Sequence, residues 1–361
     1  MTGFDGKFSK AIFFILLFFA ITLLCAVLKV MDSFFKPVVL SILLSFAFYP
    51  SIKRLNVVLK FPWWLATVIV YFFSLIVVFL AINLVTASFK SIVDAIPRYQ
   101  ERFQNIQNAI RITIESHPDS KFYAILNFDK DESLFENLNN TFNILEYIQR
   151  LAVGFTSSVV SFMKTFFLVV LLSVFFLAEL KMMRTKISLA FNSEDKTRVY
   201  KMVQNIIADV THFISIKFVI SFFTGFLVFL LCFFMNLDFP LVWAFIAFCL
   251  NFIPTFGSII SCAVTTLFAL IQFYPSIFTV FVIAFFMVLI NFVLGNVIEP
   301  KIEGKNLGIS PFVILVSLSF FGWIWGILGM FLAVPFMVIV KIVCENISYL
   351  KPIAVFIGSK S

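Results

Sequence analysis

Charge is scarce in this sequence of 361 residues: 13% of them are charged and 61% are hydrophobic, against roughly 25% and 45–50% in an ordinary soluble domain. Residues 218–298 hold a single formal charge, at Asp238. The chain has only two histidines, which excludes a multi-histidine metal cluster. Its five cysteines lie in apolar runs without the paired short spacing of a zinc or redox motif. This composition argues against a soluble enzyme, a disordered regulator and a nucleic-acid-binding domain, and it predicts no metal and no cofactor.

Long apolar blocks take the place of charge. A run of about 18 or more apolar residues is typical of a membrane-spanning helix. The sequence therefore predicts an all-α polytopic membrane protein, with an uncleaved first span and about eight hydrophobic blocks. These blocks lie near 11–30, 34–50, 63–89, 165–180, 218–236, 240–272, 276–298 and 311–341.

Basic residues predict the orientation of the spans. The loop 181–201 has six basic and two acidic residues, whereas the insert 90–150 has seven basic and nine acidic. Because positive loops stay in the cytoplasm, we expect both termini and the 181–201 loop inside and the insert outside. The net charge of +8 is thus first a topology signal.

Three segments are predicted. Residues 1–89 form N-terminal transmembrane helices, 90–164 an extracytoplasmic amphipathic helical insert, and 165–361 a transmembrane transport core. Within the core, 187–216 is predicted to be a cytoplasmic interfacial helix, because its apolar residues recur at helical spacing among basic ones.

The insert begins with apolar residues spaced three and four apart from Phe89 to Ile110, which predicts a helix that continues the third span despite Pro97. Its partner is either the return stretch 142–159, with the polar region 117–140 as the turn, or a neighbouring subunit.

Two apolar blocks are interrupted by glycine and proline. Block 240–272 breaks at 251–258 and leaves limbs of about 14 residues, and block 311–341 breaks at 321–326 and is expected to leave shorter ones. Since a full span needs about 20 residues, we predict re-entrant or broken helical hairpins that enter from opposite faces, a pattern typical of transporters. The alternative is a pair of tightly turned helices.

Few polar residues lie in or beside these blocks. Glu299 follows the span 276–298, with Asn291 about 80° away around a continuous helix, and a carboxylate there could bind a cation or proton. The alternative is that Glu299 only pairs at the interface. The transport and substrate candidates are Asn251, Pro254, Thr255, Gly257, Asn291, Asn296, Glu299, Pro300, Gly322 and Gly326.

Two sets of candidates fit either a transport role or a structural one. Asp209 and His212 are three residues apart and, with Glu299, are the candidates for a proton-linked role, although polar residues at a span end also serve as anchors. Gly322 and Gly326 form a Gly-x-x-x-Gly pattern, which favours close helix packing, or else let a hairpin tip unwind.

Three stretches together resemble the autoinducer-2 exporter family of bacterial permeases, the PerM-like proteins. They are the run 295–305, GNVIEPKIEGK, with Ser310-Pro311 after it; Asn251-Phe252-Ile253-Pro254 with Gly257; and the run 326–335, GILGMFLAVP. The chain departs from the family pattern at Thr255, Ser258 and Lys217.

The resemblance implies an inner-membrane secondary transporter or exporter of a small solute, such as an autoinducer-2-like signal, and a homo-oligomer. A sodium/proton-type antiporter is the first alternative and a non-transporting membrane scaffold or assembly factor the second. The expected partners are the solute or ion and the lipid bilayer, with no nucleic acid. An enzyme is not expected, because neither histidine lies inside a span and no pair of intramembrane aspartates exists.

Overall fold

A computed structural model of the chain describes residues 4–115, 144–191, 193–303 and 308–358. It confirms the all-α prediction: the described parts are helical, and one isolated antiparallel bridge joins Ile309 and Gly358. The helices are α1 Phe4–Val30, α2 Asp32–Val58, α3 Trp63–Glu115, α4 Ile144–Ala190, α5 Ser193–Phe234, α6 Pro240–Leu250, α7 Phe256–Phe273, α8 Ile277–Phe292, α9 Glu299–Glu303, α10 Pro311–Trp325, α11 Ile327–Asn346 and α12 Lys351–Ile357.

Seven helical segments in the described residues are long and apolar enough to cross a membrane. Many of their large apolar side chains are exposed, among them Phe278 at 78% and Phe281 at 65%. A soluble protein buries such residues, whereas lipid covers them in a membrane. The chain is therefore a multi-pass membrane protein. The segments are Asp32–Val58, Trp63–Ser88, Ser161–Met183, Lys196–Phe234, Phe256–Phe273, Ile277–Ile302 and Ile327–Asn346.

The chain divides into two compact units. The first comprises 1–70, 165–214 and 305–361, and the second 71–164 and 215–304. The first unit has an apolar core built from α2, α5, α10 and α11. Inside it, the Ser45 hydroxyl lies 2.6 Å from that of Ser173, so that buried polar side chains join α2 and α4.

The N-terminal half of α5 contributes to this core. Its apolar face lies in the core of the first unit and consists of Val203, Ile206 and Val210. Lys201 of the same segment is exposed. Protein packing accounts for the periodicity of this segment. Residues 193–216 belong to the same continuous helix as the following span, and their placement at the membrane surface stays a prediction.

The hairpin of α10 and α11 turns at Gly326, whose φ of 68° and ψ of −146° require glycine. Its limbs of 15 and 20 residues are longer than the sequence suggested, so that part of the prediction was wrong: the helices continue to within one residue of the turn. The Trp325 indole N–H donates to the Leu28 carbonyl at 2.9 Å, which places the turn beside the last turn of α1.

The second unit holds the other hairpin, α6 and α7, whose limbs are 11 and 18 residues long. Its ends are fastened together: the Gln272 side chain accepts from the Asp238 N–H and donates to the Asn236 carbonyl, both at 2.8 Å. The Tyr99 hydroxyl donates to the Asp238 carboxylate at 2.6 Å. These bonds hold the base of the hairpin and join it to α3. Whether either hairpin is re-entrant stays a prediction.

The extension of the third span is confirmed, since α3 runs unbroken from Trp63 to Glu115 past Pro97. The proposed turn 117–140 lies outside the described residues. The return stretch is helical from Ile144 onward, and the partner of the insert stays a prediction.

Close packing of α10 against α11 depends on Gly329, where an added Cβ would overlap the carbonyl group of Phe321. We expect Gly329→Ala to lower the free energy of unfolding by about 1–3 kcal/mol, the usual effect of overpacking. Gly322→Ala is the matched control, because its Cβ would meet only the flexible side chain of Met330. Thermal unfolding in detergent measures both, and equal effects of the two variants would contradict this assignment.

Candidate transport site

A cavity of about 640 Å³ lies within the second unit. Helices α5, α7 and α8, the linker between α6 and α7, and the segment after α8 supply its walls. Six of the ten transport candidates line it. The lining residues are Lys217, Asn251, Pro254, Thr255, Ser258, Ile259, Cys262, Ala263, Thr266, Ala284, Val288, Asn291, Phe292, Gly295, Asn296 and Glu299.

The linker 251–255 forms the tip of the α6–α7 hairpin. Asn251 is buried, and its side-chain amide donates to the Ser221 hydroxyl of α5 at 3.0 Å. Thr255 has a φ of 65°, a left-handed conformation that is a true outlier for a β-branched residue. Such strain costs about 1–3 kcal/mol and clusters at functional sites.

Most backbone carbonyls at this tip are already hydrogen-bonded, which leaves the side chains as the main groups available to a solute. The carbonyls of Leu250, Ile253, Pro254 and Thr255 each accept a backbone N–H within the linker and the first turn of α7. Those hydrogen bonds fulfil the requirement that polar backbone at membrane depth be paired.

Gly257 serves packing at the hairpin. It is buried outside the lining, and an added Cβ would overlap the backbone of Leu250. It begins a buried face of α7 that consists of small or polar residues at four-residue spacing: Gly257, Ser261, Thr265 and Ala269. Small residues let neighbouring helices approach closely within a membrane.

The helix that starts as α8 changes its winding at the cavity. Residues Val293–Ile298 form a π-helical segment, which turns less per residue than an α-helix because its hydrogen bonds join residues five apart. The expected 80° between Asn291 and Glu299 assumed a continuous α-helix and was therefore wrong. Asn291, Gly295, Asn296 and Glu299 all line the cavity across this segment, and π-helical turns occur frequently at functional sites.

Lys217 and Glu299 form an ion pair in the cavity wall. Their side chains are only 7% and 13% exposed. Ile216 and Ile220 of α5 pack against Leu294 of the π-helical segment, and this contact fixes the two ionic side chains opposite each other. Removing one partner of a buried pair leaves an uncompensated charge, at a cost of about 3–5 kcal/mol.

The contribution of Lys217 to the site was missed from sequence, which showed it as a polar residue before the block 218–236 and as a departure from the family pattern. A usable signal was present: Lys217, Ser221, Thr224 and Gly225 recur at helical spacing in an otherwise apolar span, and all four are buried. In a membrane helix such a stripe indicates the face that contacts protein.

The remaining candidates lie elsewhere. Gly322 and Gly326 belong to the first unit. Asp209 and His212 also belong to the first unit and do not line the cavity. Pro300 follows the lining residue Glu299, but it is exposed and does not line the cavity itself. Among the described residues no group of three or more His, Cys, Asp and Glu could hold a metal ion.

Comparison with known proteins decides the family. The model of the AI-2E family of transporters matches residues 12–349. The chain belongs to the AI-2E transporter family.

Several curated relatives of this AI-2E transporter match it over much of its length. A candidate transport protein of Borreliella burgdorferi is 33% identical over 91% of this chain and 86% of its own length. One from Haemophilus influenzae is 28% identical over 91% and 90%. The AI-2 transport protein TqsA of Escherichia coli is 36% identical over 43% of this chain and 45% of its own. The family resemblance seen in the sequence is thus confirmed.

Thr255 offers a test of the strained tip. We expect Thr255→Gly to raise the free energy of unfolding by about 1 kcal/mol, because glycine relieves the positive φ and offsets part of that gain by its greater freedom in the unfolded chain. Ser258→Gly in the first turn of α7 is the control and should lose up to about 1 kcal/mol. Chemical denaturation of the purified variants measures both, and a loss in Thr255→Gly would show that its side chain, not its backbone, determines stability here.

Proposed function

We propose that this AI-2E transporter moves a small polar solute across the membrane by secondary transport, with the cavity of the second unit as its binding site. The observation that carries the proposal is the lining itself: the amides and hydroxyls of Asn251, Thr255, Ser258, Asn291 and Asn296 converge on one cavity between apolar helices. Polar groups placed in this way fix the orientation of a ligand and give specificity.

Helix lengths support a location inside the bilayer. The limb α6 has 11 residues, or about 16 Å at 1.5 Å per residue. Ser221, which Asn251 contacts, lies about 20 Å from the end of α5 at Phe234, and Asn291 lies about 20 Å from the start of α8 at Ile277. In a hydrocarbon layer about 30 Å thick, these lengths favour a site well below the surface, where transporters bind their substrates.

The solute we propose is an autoinducer-2-like signal, that is, a small hydroxylated molecule, moved outward. Membership of the family and the name of the E. coli relative, an AI-2 transport protein, motivate this choice. Hydroxyl groups both donate and accept hydrogen bonds, which suits a lining of amides and hydroxyls.

We further propose that the protein resides in the bacterial inner membrane as a homo-oligomer, with both termini in the cytoplasm. The positive loop 181–201 and the negative insert 90–150 support this orientation.

Asn296→Leu tests the site. In proteoliposomes preloaded with autoinducer-2, we expect efflux to fall about five- to tenfold, because a lost solute hydrogen bond is worth about 1 kcal/mol and leucine also narrows the cavity. Asn83→Leu is the matched control: the same exchange at an exposed position of α3, outside the cavity, should leave efflux unchanged. Equal efflux in both variants, with equal protein per vesicle, would remove the cavity from the transport path.

A cation/proton antiporter is the second candidate, favoured by the carboxylate of Glu299 in the cavity wall. The same vesicles distinguish it, since an antiporter exchanges entering sodium for lumenal protons and therefore alkalises the lumen when sodium is added outside, whereas an exporter of a neutral solute does not. Silence in both assays with folded protein would favour the scaffold.

A further inference from the structure

The cavity wall contains a positively charged side chain, the ammonium group of Lys217. Lys217 extends from α5 to the Glu299 carboxylate where the π-helical segment ends, and the two form an ion pair. Both residues line the cavity, and Lys217 is buried. The only acidic side chain of the lining is therefore already neutralised from within.

We propose that Lys217 is the specificity-determining residue of the site: it occupies Glu299 as a tethered counter-ion and thereby excludes free monovalent cations from the cavity. This inference rests on the proposed function, because it names which solutes the same site refuses.

The geometry favours occupancy by the lysine over a solution ion. The packing of Ile216 and Ile220 against Leu294 holds the two backbones in place, so the ammonium group binds the carboxylate without loss of translational freedom. A solution cation must lose that freedom and displace the lysine. A displaced Lys217 would also be a buried ammonium without its carboxylate, which is costly.

The charge balance of the lining points the same way. Besides this pair, its polar groups are the amides of Asn251, Asn291 and Asn296, three hydroxyls and the Cys262 thiol. A cavity in which the paired charges cancel and neutral donors and acceptors remain suits an uncharged solute. The carboxylate would become a cation site only if its lysine were removed.

Lys217→Gln tests the proposal by gain of binding. Purified protein is unfolded thermally in detergent while choline chloride is replaced by sodium chloride at constant ionic strength, so that screening and chloride stay fixed. We expect no difference between the two salts for the wild type. For Lys217→Gln we expect the Tm to rise in sodium by about 2 °C, because a cation that binds only the folded state stabilises it.

Two further variants complete the test. The double variant K217Q/E299Q should lose the sodium response. Glu299→Gln leaves the ammonium unpaired and should instead be stabilised when sodium gluconate is replaced by sodium chloride. This second arm decides the matter if Lys217→Gln does not fold.

The proposal is overturned if sodium stabilises the wild type as much as Lys217→Gln, or if the folded single variants show neither the cation nor the anion response. Because unfolding reports binding and not flux, failure here leaves the efflux result for Asn296→Leu standing, and failure of efflux leaves this result standing.

Discussion

Backbone polar groups inside a bilayer must be paired within the protein, and most of this fold follows from that requirement. Where a helix breaks, the chain satisfies the freed groups locally. The tip 251–255 does so with its own carbonyls, and the α10–α11 turn confines the break to Gly326. The base of the α6–α7 hairpin uses a side chain instead: Gln272 accepts from the Asp238 N–H and donates to the Asn236 carbonyl. The helix breaks therefore let the chain reverse direction while the backbone around them stays hydrogen-bonded.

In the same low-dielectric surroundings, the few charged groups interact strongly with one another. Across 218–298 the sequence contains one formal charge. Lys217 and Glu299 flank this stretch, so few other charged side chains contribute to the electrostatic potential around their ion pair. Attraction between two charges grows as water is excluded, but so does the cost of desolvating them. Such a site tolerates ionised side chains when they are paired with each other. The two residues of this pair lie far apart in the sequence.

Hydropathy and charge were sufficient to predict the all-α membrane fold, since apolar runs of spanning length are characteristic of transmembrane helices. Glycine, proline and asparagine in apolar blocks pointed to the tip 251–255, where three of the candidates line the cavity, and three more line it from α8 and the segment after it. Sequence reasoning failed where the role of a residue depends on three-dimensional packing. Gly257 and Gly329 must be glycine because another stretch of backbone lies where a Cβ would be. The partner of Glu299 could not be found from local spacing, because Lys217 lies on a different helix.

The π-helical segment Val293–Ile298 also affects how this chain is compared with others. A π-helical turn holds about one residue more than an α-helical turn, so residues before and after it are out of phase on any helical wheel. A relative that lacks one residue here would keep both flanking helices and lose only the local widening. A single-residue gap at this point of an alignment would therefore mark a change in which side chains face the cavity, and not an error of alignment.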